Sequence, residues 1–260
     1  MTVPSGAIGA AAIDRERLLA ALARIEPRAA ADPGAVEIAR APGRVNLIGE
    51  YTDFNDGFVL PVAIDLEIRI ALLPTDDRRV EIVLDATGER AGFSLDAIGE
   101  RQGGWIDYVA GTAWALAEAG LPLRGFHGLL ASNLPVGSGL SSSAALELAS
   151  ARALLAHQAD GLDRPRLALL AQRAENAYVG VQCGIMDQFA SSVGNRDGAV
   201  LLDCRSLEHR PVHLPTGEVA LVVCDTGAPR RLGASAYNDR RRACERIVAL
   251  LAERGAPVRA

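Results

Sequence analysis

The stretch Pro135-Val136-Gly137-Ser138-Gly139-Leu140-Ser141-Ser142-Ser143-Ala144-Ala145 constrains the fold of this chain more than any other segment. It separates a strand-like run, Phe126 to Leu130, from a helix-like run that starts at Ser142 and reaches about His157. Glycines let a backbone approach a ligand closely, and a helix start presents unpaired N–H groups and the positive end of its dipole. Strand, glycine-rich turn and helix start in that order make an anion site, to which the serine hydroxyls can add phosphate contacts or a metal ligand. A plain helix N-cap without a ligand is the competing reading. The dinucleotide pattern G-x-G-x-x-G fails at Ser142, and the hydrolase elbow G-x-S-x-G fails because Gly139-Leu140-Ser141-Ser142-Ser143 ends in serine. A P-loop is impossible, since all 27 of the Lys+Arg residues are arginine. The same absence removes Schiff-base and lysine general-base chemistry.

The remaining patterning defines an α+β chain. Leu18, Leu19, Leu22 and Ile25 predict an amphipathic helix over 13–25. Branched residues predict strands at 37–39, 59–62, 66–71 and 80–84, with turns at Asp76-Asp77 and Thr87-Gly88. A helix follows from Trp105 to Gly120, then the strand at 126–130, helices from Ser142 and over 164–179, strands at 199–202 and 219–224, and a helix over 235–253. Strands and helices that do not alternate strictly favour α+β over a doubly wound sheet. The net charge of -5 argues against a broad nucleic-acid footprint. Arg240, Arg241, Arg242 and Arg246, interleaved with Asp239 and Glu245, read as a solvated helix face. No run of 18 apolar residues exists and the N-terminus lacks a charged n-region, so no membrane partner and a cytoplasmic location are expected. Cys183, Cys204, Cys224 and Cys244 form no C-x-x-C pair and are expected as buried small apolar residues.

Two further segments carry chemistry. Ala41 to Pro61 packs Arg44, Asn46, Glu50, Thr52, Asp53, Asn55 and Asp56 among Val45, Leu47 and Ile48. Read as a loop between strands, it suits a polyhydroxylated ligand, because carboxylates accept from vicinal hydroxyls; a turn that only satisfies its own backbone is the alternative. In Ala174 to Ala190, Glu175 stands near a helix end and Asp187 stands past two glycines beside Ile185, Met186 and Phe189. That places a candidate general base or metal ligand, with acidic capping of the next helix as the competitor.

In this order the three segments resemble the signatures of the galactokinases, within the GHMP family of small-molecule kinases. A fourth stretch, from Ser235 through Tyr237-Asn238 and Arg240-Arg241 to Cys244-Glu245, is similar in outline. The resemblance implies an N-terminal ribosomal-S5-domain-2-like α/β domain and a ferredoxin-like C-terminal domain. The corresponding division is a helical segment over 1–34, the sugar and ATP motifs over 35–215, and the start of the second domain over 216–260. It implies ATP- and Mg²⁺-dependent phosphorylation of the C1 hydroxyl of α-D-galactose, by a monomer that takes only the small-molecule sugar and ATP. Asp187 matches the base, and Arg44 the arginine that stabilises phosphoryl charge. Glu50, Tyr51, Asp53, Gly184 and Tyr237 match sugar contacts, Pro135 to Ala145 the ATP loop, and Glu175 with Ser142 or Ser143 the Mg²⁺ ligands. The family usually has histidine at Tyr51, which opens the reading of a kinase for another sugar. Family members also continue past the position of Ala260, so an incomplete second domain is expected, with Ile247, Leu250 and Leu251 leaving apolar surface exposed. A non-catalytic sugar- or ATP-binding remnant is the alternative this raises.

Overall fold

The structure, a computed structural model, describes residues 13–256 apart from 136, 157–160, 197, 216–217, 219 and 225–233, and the side chains of 234–237 are outside the description. The expectations for Val136, for His157 and for the Tyr237 side chain therefore lie outside the described residues. Strands β1 (Glu37–Asn46), β3 (Pro61–Thr75), β6 (Gly125–Ser132), β4 (Arg79–Leu84) and β5 (Arg90–Ser94) form a five-stranded sheet in that spatial order. Neighbours are antiparallel except β4 and β6, which run parallel. A parallel pair needs a crossover, and helix α3 (Ile106–Glu118) lies in that connection. A second sheet joins β2 (Phe58–Val59), β7 (Gly198–Asp203) and β8 (His209–His213).

β3 is buried on both faces, which is why Ile70-Ala71-Leu72-Leu73 reads as an unbroken apolar run. Ile70 and Leu72 join a core with Ile82, Phe126, Val109, Leu116 and, from helix α4 (Ser142–Leu155), Leu148 and Leu154. Ala71 and Leu73 face the other side, against Leu18 and Leu22 of helix α1 (Arg15–Ile25). The Asp14 carboxylate caps α1 by accepting from the Glu16 and Arg17 amides. Almost every residue of α4 from Ala144 to Leu155 is buried, as expected of a helix with small or apolar residues on all sides. Helix α6 (Met186–Val193) ties the two sheets together, with Phe189 packed beside Val59, Val200 and Leu202.

Several elements differ from the sequence reading. The strands expected at 59–62 and 66–71 are largely one 15-residue strand, β3. Pro74 is tolerated there because β1 pairs only as far as Leu72, leaving that edge without a ladder. β5 and β8, RAGFS and HRPVH, were not expected, since glycine, proline and charge mask their pairing. No strand forms over 220–224, where Leu221, Val222 and Val223 are exposed and lack a sheet partner. The helix expected over 164–179 divides into α5 (Arg164–Arg173) and a π-turn (Ala174–Val179). The cysteines are not all buried, for Cys224 is exposed and Cys183, Cys204 and Cys244 are half-buried. On helix α7 (Ala234–Glu253), Ile247 and Leu250 are exposed. Among the described residues no helix is long and apolar enough to cross a membrane.

Phe126, fully buried at the centre of the sheet, supports packing on the face that carries α3 and α4. Phe126→Ala should lower unfolding free energy by about 3–5 kcal/mol in a denaturant titration. A loss under about 1 kcal/mol would mean that this core repacks freely.

Candidate active site

Arg44 and Asn46, expected in a loop, lie on β1. A register irregularity between Pro42 and Arg44 turns the end of this strand toward the glycine- and serine-rich stretch. The Arg44 amide donates to the Leu140 carbonyl at 3.2 Å. The approach is so close that a Cβ on Gly43 would lie 2.6 Å from the same oxygen. The Arg44 side chain then makes the central connection. Its Nε donates to Asp187 Oδ1 at 2.8 Å, a terminal nitrogen donates to that oxygen as well, and Nη1 donates to the Gly139 carbonyl at 2.8 Å. The Ser141 hydroxyl donates to Asp187 Oδ2 at 2.6 Å. Ser141 sits in the left-handed region at φ 61°, a strained setting for a non-glycine residue. Side-chain exposures of 12% for Arg44 and 26% for Asp187 shield this pair from the solvent screening that weakens surface bridges.

Asp187 lies in the first turn of α6, but its carboxylate engages Arg44 and Ser141 instead of capping that helix. Asp53 approaches from the loop after β1. Burial, followed by the charge of Asp187, pushes its carboxyl up to about 6. Gly184 is essential to that approach, because a Cβ there would lie 2.0 Å from Asp53 Oδ2. Glu50 and Tyr51 sit farther out. Glu50 is exposed and accepts from Asn46 Nδ2 at 3.1 Å, while exposed Tyr51, at φ 62°, meets Phe54 edge-on at 5.9 Å. Of the expected sugar contacts, Asp53 and Gly184 are thus drawn against each other near Arg44 and Asp187, and Glu50 and Tyr51 form the outer rim.

Behind Asp187 lies a set of buried acids that the sequence reading only half found. Glu175, 5% exposed, heads the π-turn, and Glu147 in α4 is fully buried. Gln188, next in sequence to Asp187, donates through Nε2 to Glu175 Oε2 at 2.7 Å and to Glu147 Oε2 at 3.0 Å. Burial and the Asp187 charge raise Glu175 to about 7, and burial and Glu175 raise Glu147 well above its usual range. The Cys183 thiol donates to Glu175 at 3.4 Å and is itself pushed up by burial. Among the described residues Gln188 Oε1 has no hydrogen-bond partner, and the Glu147 and Glu175 carboxyls also hydrogen-bond each other. A signal for Glu147 existed in the sequence: it is the one acidic residue of a helix otherwise made mainly of alanine, leucine and serine. Ser142 and Ser143 begin α4, Gly137 and Ser138 lie in the preceding turn, and Pro135 is exposed at its start. Leu140, Ala144 and Ala145 are buried, and the Ala145 amide is already used within the helix by donating to the Ser141 carbonyl.

Comparison with known proteins shows what the chain is similar to. Residues 107–195 match the GHMP kinases N terminal domain, and residues 29–74 match the galactokinase galactose-binding signature. The chain belongs to the GHMP kinase family. Within that family it is similar to the galactokinase of Chloroflexus aggregans, with 49% identity over 215 residues that cover 82% of this chain and 55% of the relative. It is also 49% identical to the galactokinase of Roseiflexus sp. over 214 residues, 82% of this chain and 54% of the relative. The chain thus spans about half the length of the curated relatives it matches. The crystal structure of Lactococcus lactis galactokinase complexed with galactose superposes with TM-score 0.77 at 32% identity, covering 90% of this chain and 62% of that one. Methanococcus jannaschii mevalonate kinase shares the fold, with TM-score 0.59 at 21% identity over 71% of this chain and 58% of that one.

Asp53 gives the site a stability signature. A carboxyl raised from 3.8 to about 6 makes the folded state bind more protons between those values. Asp53's own contribution to stability is therefore greatest below about pH 4 and is lost as pH rises through about 6. Asp53→Asn should raise the Tm of the ligand-free protein by a few degrees at about pH 7.5 and change it much less at about pH 4.5. Equal shifts at the two pH values would contradict this account of Asp53.

Proposed function

We propose that the chain transfers the γ-phosphoryl group of ATP to the C1 hydroxyl of α-D-galactose, with Asp187 as the base and Arg44 stabilising phosphoryl charge. The observation that carries this reading is the Arg44 side chain, which joins Asp187 to the Gly139 carbonyl of the glycine- and serine-rich stretch. A guanidinium so placed stands between a proton acceptor and a loop suited to phosphates, where charge develops during transfer. Asp187 Oδ2 already accepts a hydrogen bond from one alcohol, Ser141, at 2.6 Å, and a sugar hydroxyl is a donor of the same kind. In the proposed reaction the C1 hydroxyl gives its proton to Asp187 as its oxygen attacks the γ-phosphorus, and ADP leaves. Asp53, Glu50, Gly184 and Tyr237 would orient the sugar. Amides from Gly137 to Ser143 and the start of α4 would hold the phosphates, a route that needs no lysine. Residues 35–215 would carry these motifs, and the reaction would take place on a monomer in the cytoplasm.

Magnesium suits the donors present. Glu175 and a hydroxyl of Ser142 or Ser143 would be hard oxygen ligands, with the Glu147 carboxyl, kept in its protonated form by burial and by the Glu175 charge, behind Glu175. Among the described residues no group of three or more His, Cys, Asp or Glu could hold a metal. That is compatible with Mg²⁺, which keeps waters and takes substrate phosphates instead of using an all-protein cage. When bound, it would neutralise charge on the phosphates. Tyr51 favours a second reading, a kinase for a related sugar, because its exposed phenol stands at the outer rim of the sugar loop.

Incubation with ATP, Mg²⁺ and galactose should yield galactose 1-phosphate, and Asp187→Asn should slow turnover by about 10²–10⁴-fold. A well-folded Asp187→Asn variant with undiminished turnover would remove Asp187 as the base. In a panel of hexoses, hexosamines and pentoses, galactose should have the highest kcat/KM. A clear preference for another sugar would transfer the assignment to the second reading.

A further inference from the structure

We propose that Asn238 and Arg241 of α7 are positioning residues that hold the 180–184 loop, and with it Gly184, at the approach to Asp53 that sugar binding requires. The loop joins the π-turn carrying Glu175 to the helix carrying Asp187, and it belongs to neither sheet. Backbone groups without a ladder must find other partners or pay for burial. Asn238 supplies them from more than fifty residues away: its Oδ1 accepts from the Gln182 amide at 2.9 Å, and its Nδ2 donates to the Gly180 carbonyl at 3.1 Å. A side-chain amide used in both directions imitates the paired bonds of a neighbouring strand. Arg241 Nη1 donates to the Gln182 carbonyl at 3.2 Å and to the Cys183 carbonyl at 3.4 Å, while its Nε is held by Glu245 at 2.9 Å. The Cys183 carbonyl also receives Gln172 and Asn176, so the loop is gripped from the α5 side as well as from α7.

The residue after this gripped carbonyl is Gly184, whose backbone lies so near Asp53 that no side chain fits between them. A small displacement of the loop would change that separation directly. It would reach Asp187, anchored separately by Arg44 and Ser141, and the phosphate loop much less. The clasp should therefore set sugar affinity more than turnover or nucleotide affinity. This inference rests on the galactokinase reading, and its test separates the two.

Asn238→Ala should weaken galactose binding about tenfold, as expected for losing the equivalent of one net hydrogen bond. The KM for ATP should stay within about twofold and kcat within about threefold of the unsubstituted chain. Hydrogen exchange at the Gln182 amide should accelerate about tenfold in Asn238→Ala and stay slow in Asn238→Asp, which keeps the acceptor. Unchanged galactose affinity despite faster exchange at Gln182 would overturn the proposal. So would equal loss of affinity for both substrates, or unchanged exchange. If the unsubstituted chain binds galactose calorimetrically without phosphorylating it, the kinase reading falls, and the galactose dissociation constants of the same variants still decide the clasp.

Discussion

The site is organised around one guanidinium. Arg44 leaves β1 at its irregularity and bonds at once to a carboxylate on α6 and a carbonyl in the turn before α4. Those three elements come from distant parts of the chain, and the Arg44 amide to the Leu140 carbonyl, Gln188 to Glu147 and the Ser191 hydroxyl to the Pro42 carbonyl reinforce their junction. Removing one partner of such a shielded pair leaves an uncompensated charge, a penalty of about 3–5 kcal/mol for fully buried pairs. The geometry of Arg44 is thus a folding constraint as much as a chemical one. The rest of the N-terminal architecture, with β3 packed on both faces and α4 buried along most of its length, brings its partners within reach.

A second layer lies behind that pair and runs against stability. Two carboxyls, Glu147 and Glu175, share one amide, Gln188, in a region with almost no water access. Burying acids beside each other is unfavourable, and apolar residues of similar volume would suit a purely structural core better. Perturbed acids of this kind concentrate where chemistry is done. Gln188 and Asp187 are adjacent, and neighbours on an α-helix point about 100° apart. α6 can therefore face the open site with one residue and the buried acids with the next.

Much of this was legible before any coordinates, for definite reasons. The strand pattern over 80–84, the periodicity of α1 and the glycine- and serine-rich turn into α4 are local signals, and each became the element it implied. The candidate residues Arg44, Asp53, Glu175 and Asp187 lie in short segments whose residue types left two readings open, and it was the resemblance to the galactokinase signatures that singled them out. What escaped was non-local. β5 and β8 pair despite weak propensity because a neighbouring strand supplies the ladder. The Gln188 bridge joins elements more than ten residues apart, and Asn238 contributes through two backbone groups that no residue pattern marks. Tyr51 and Glu50 were grouped with Asp53 by the family resemblance, yet Glu50 and Tyr51 are exposed while Asp53 turns inward against Gly184.

The π-turn at Ala174–Val179 sets the phase between two halves of the site. Its widened hydrogen bond runs from the Gly180 amide to the Glu175 carbonyl at 2.9 Å, one residue beyond α-helical spacing. Such a turn is an α-helix that has accepted a single extra residue. Reversing it would rotate everything on one side by about 100° relative to the other, so Glu175 could not keep both Gln188 and its place above the 180–184 loop. The length of this helix is therefore as much a part of the site as any side chain, because the buried acids and the 180–184 loop are both placed by the one extra residue.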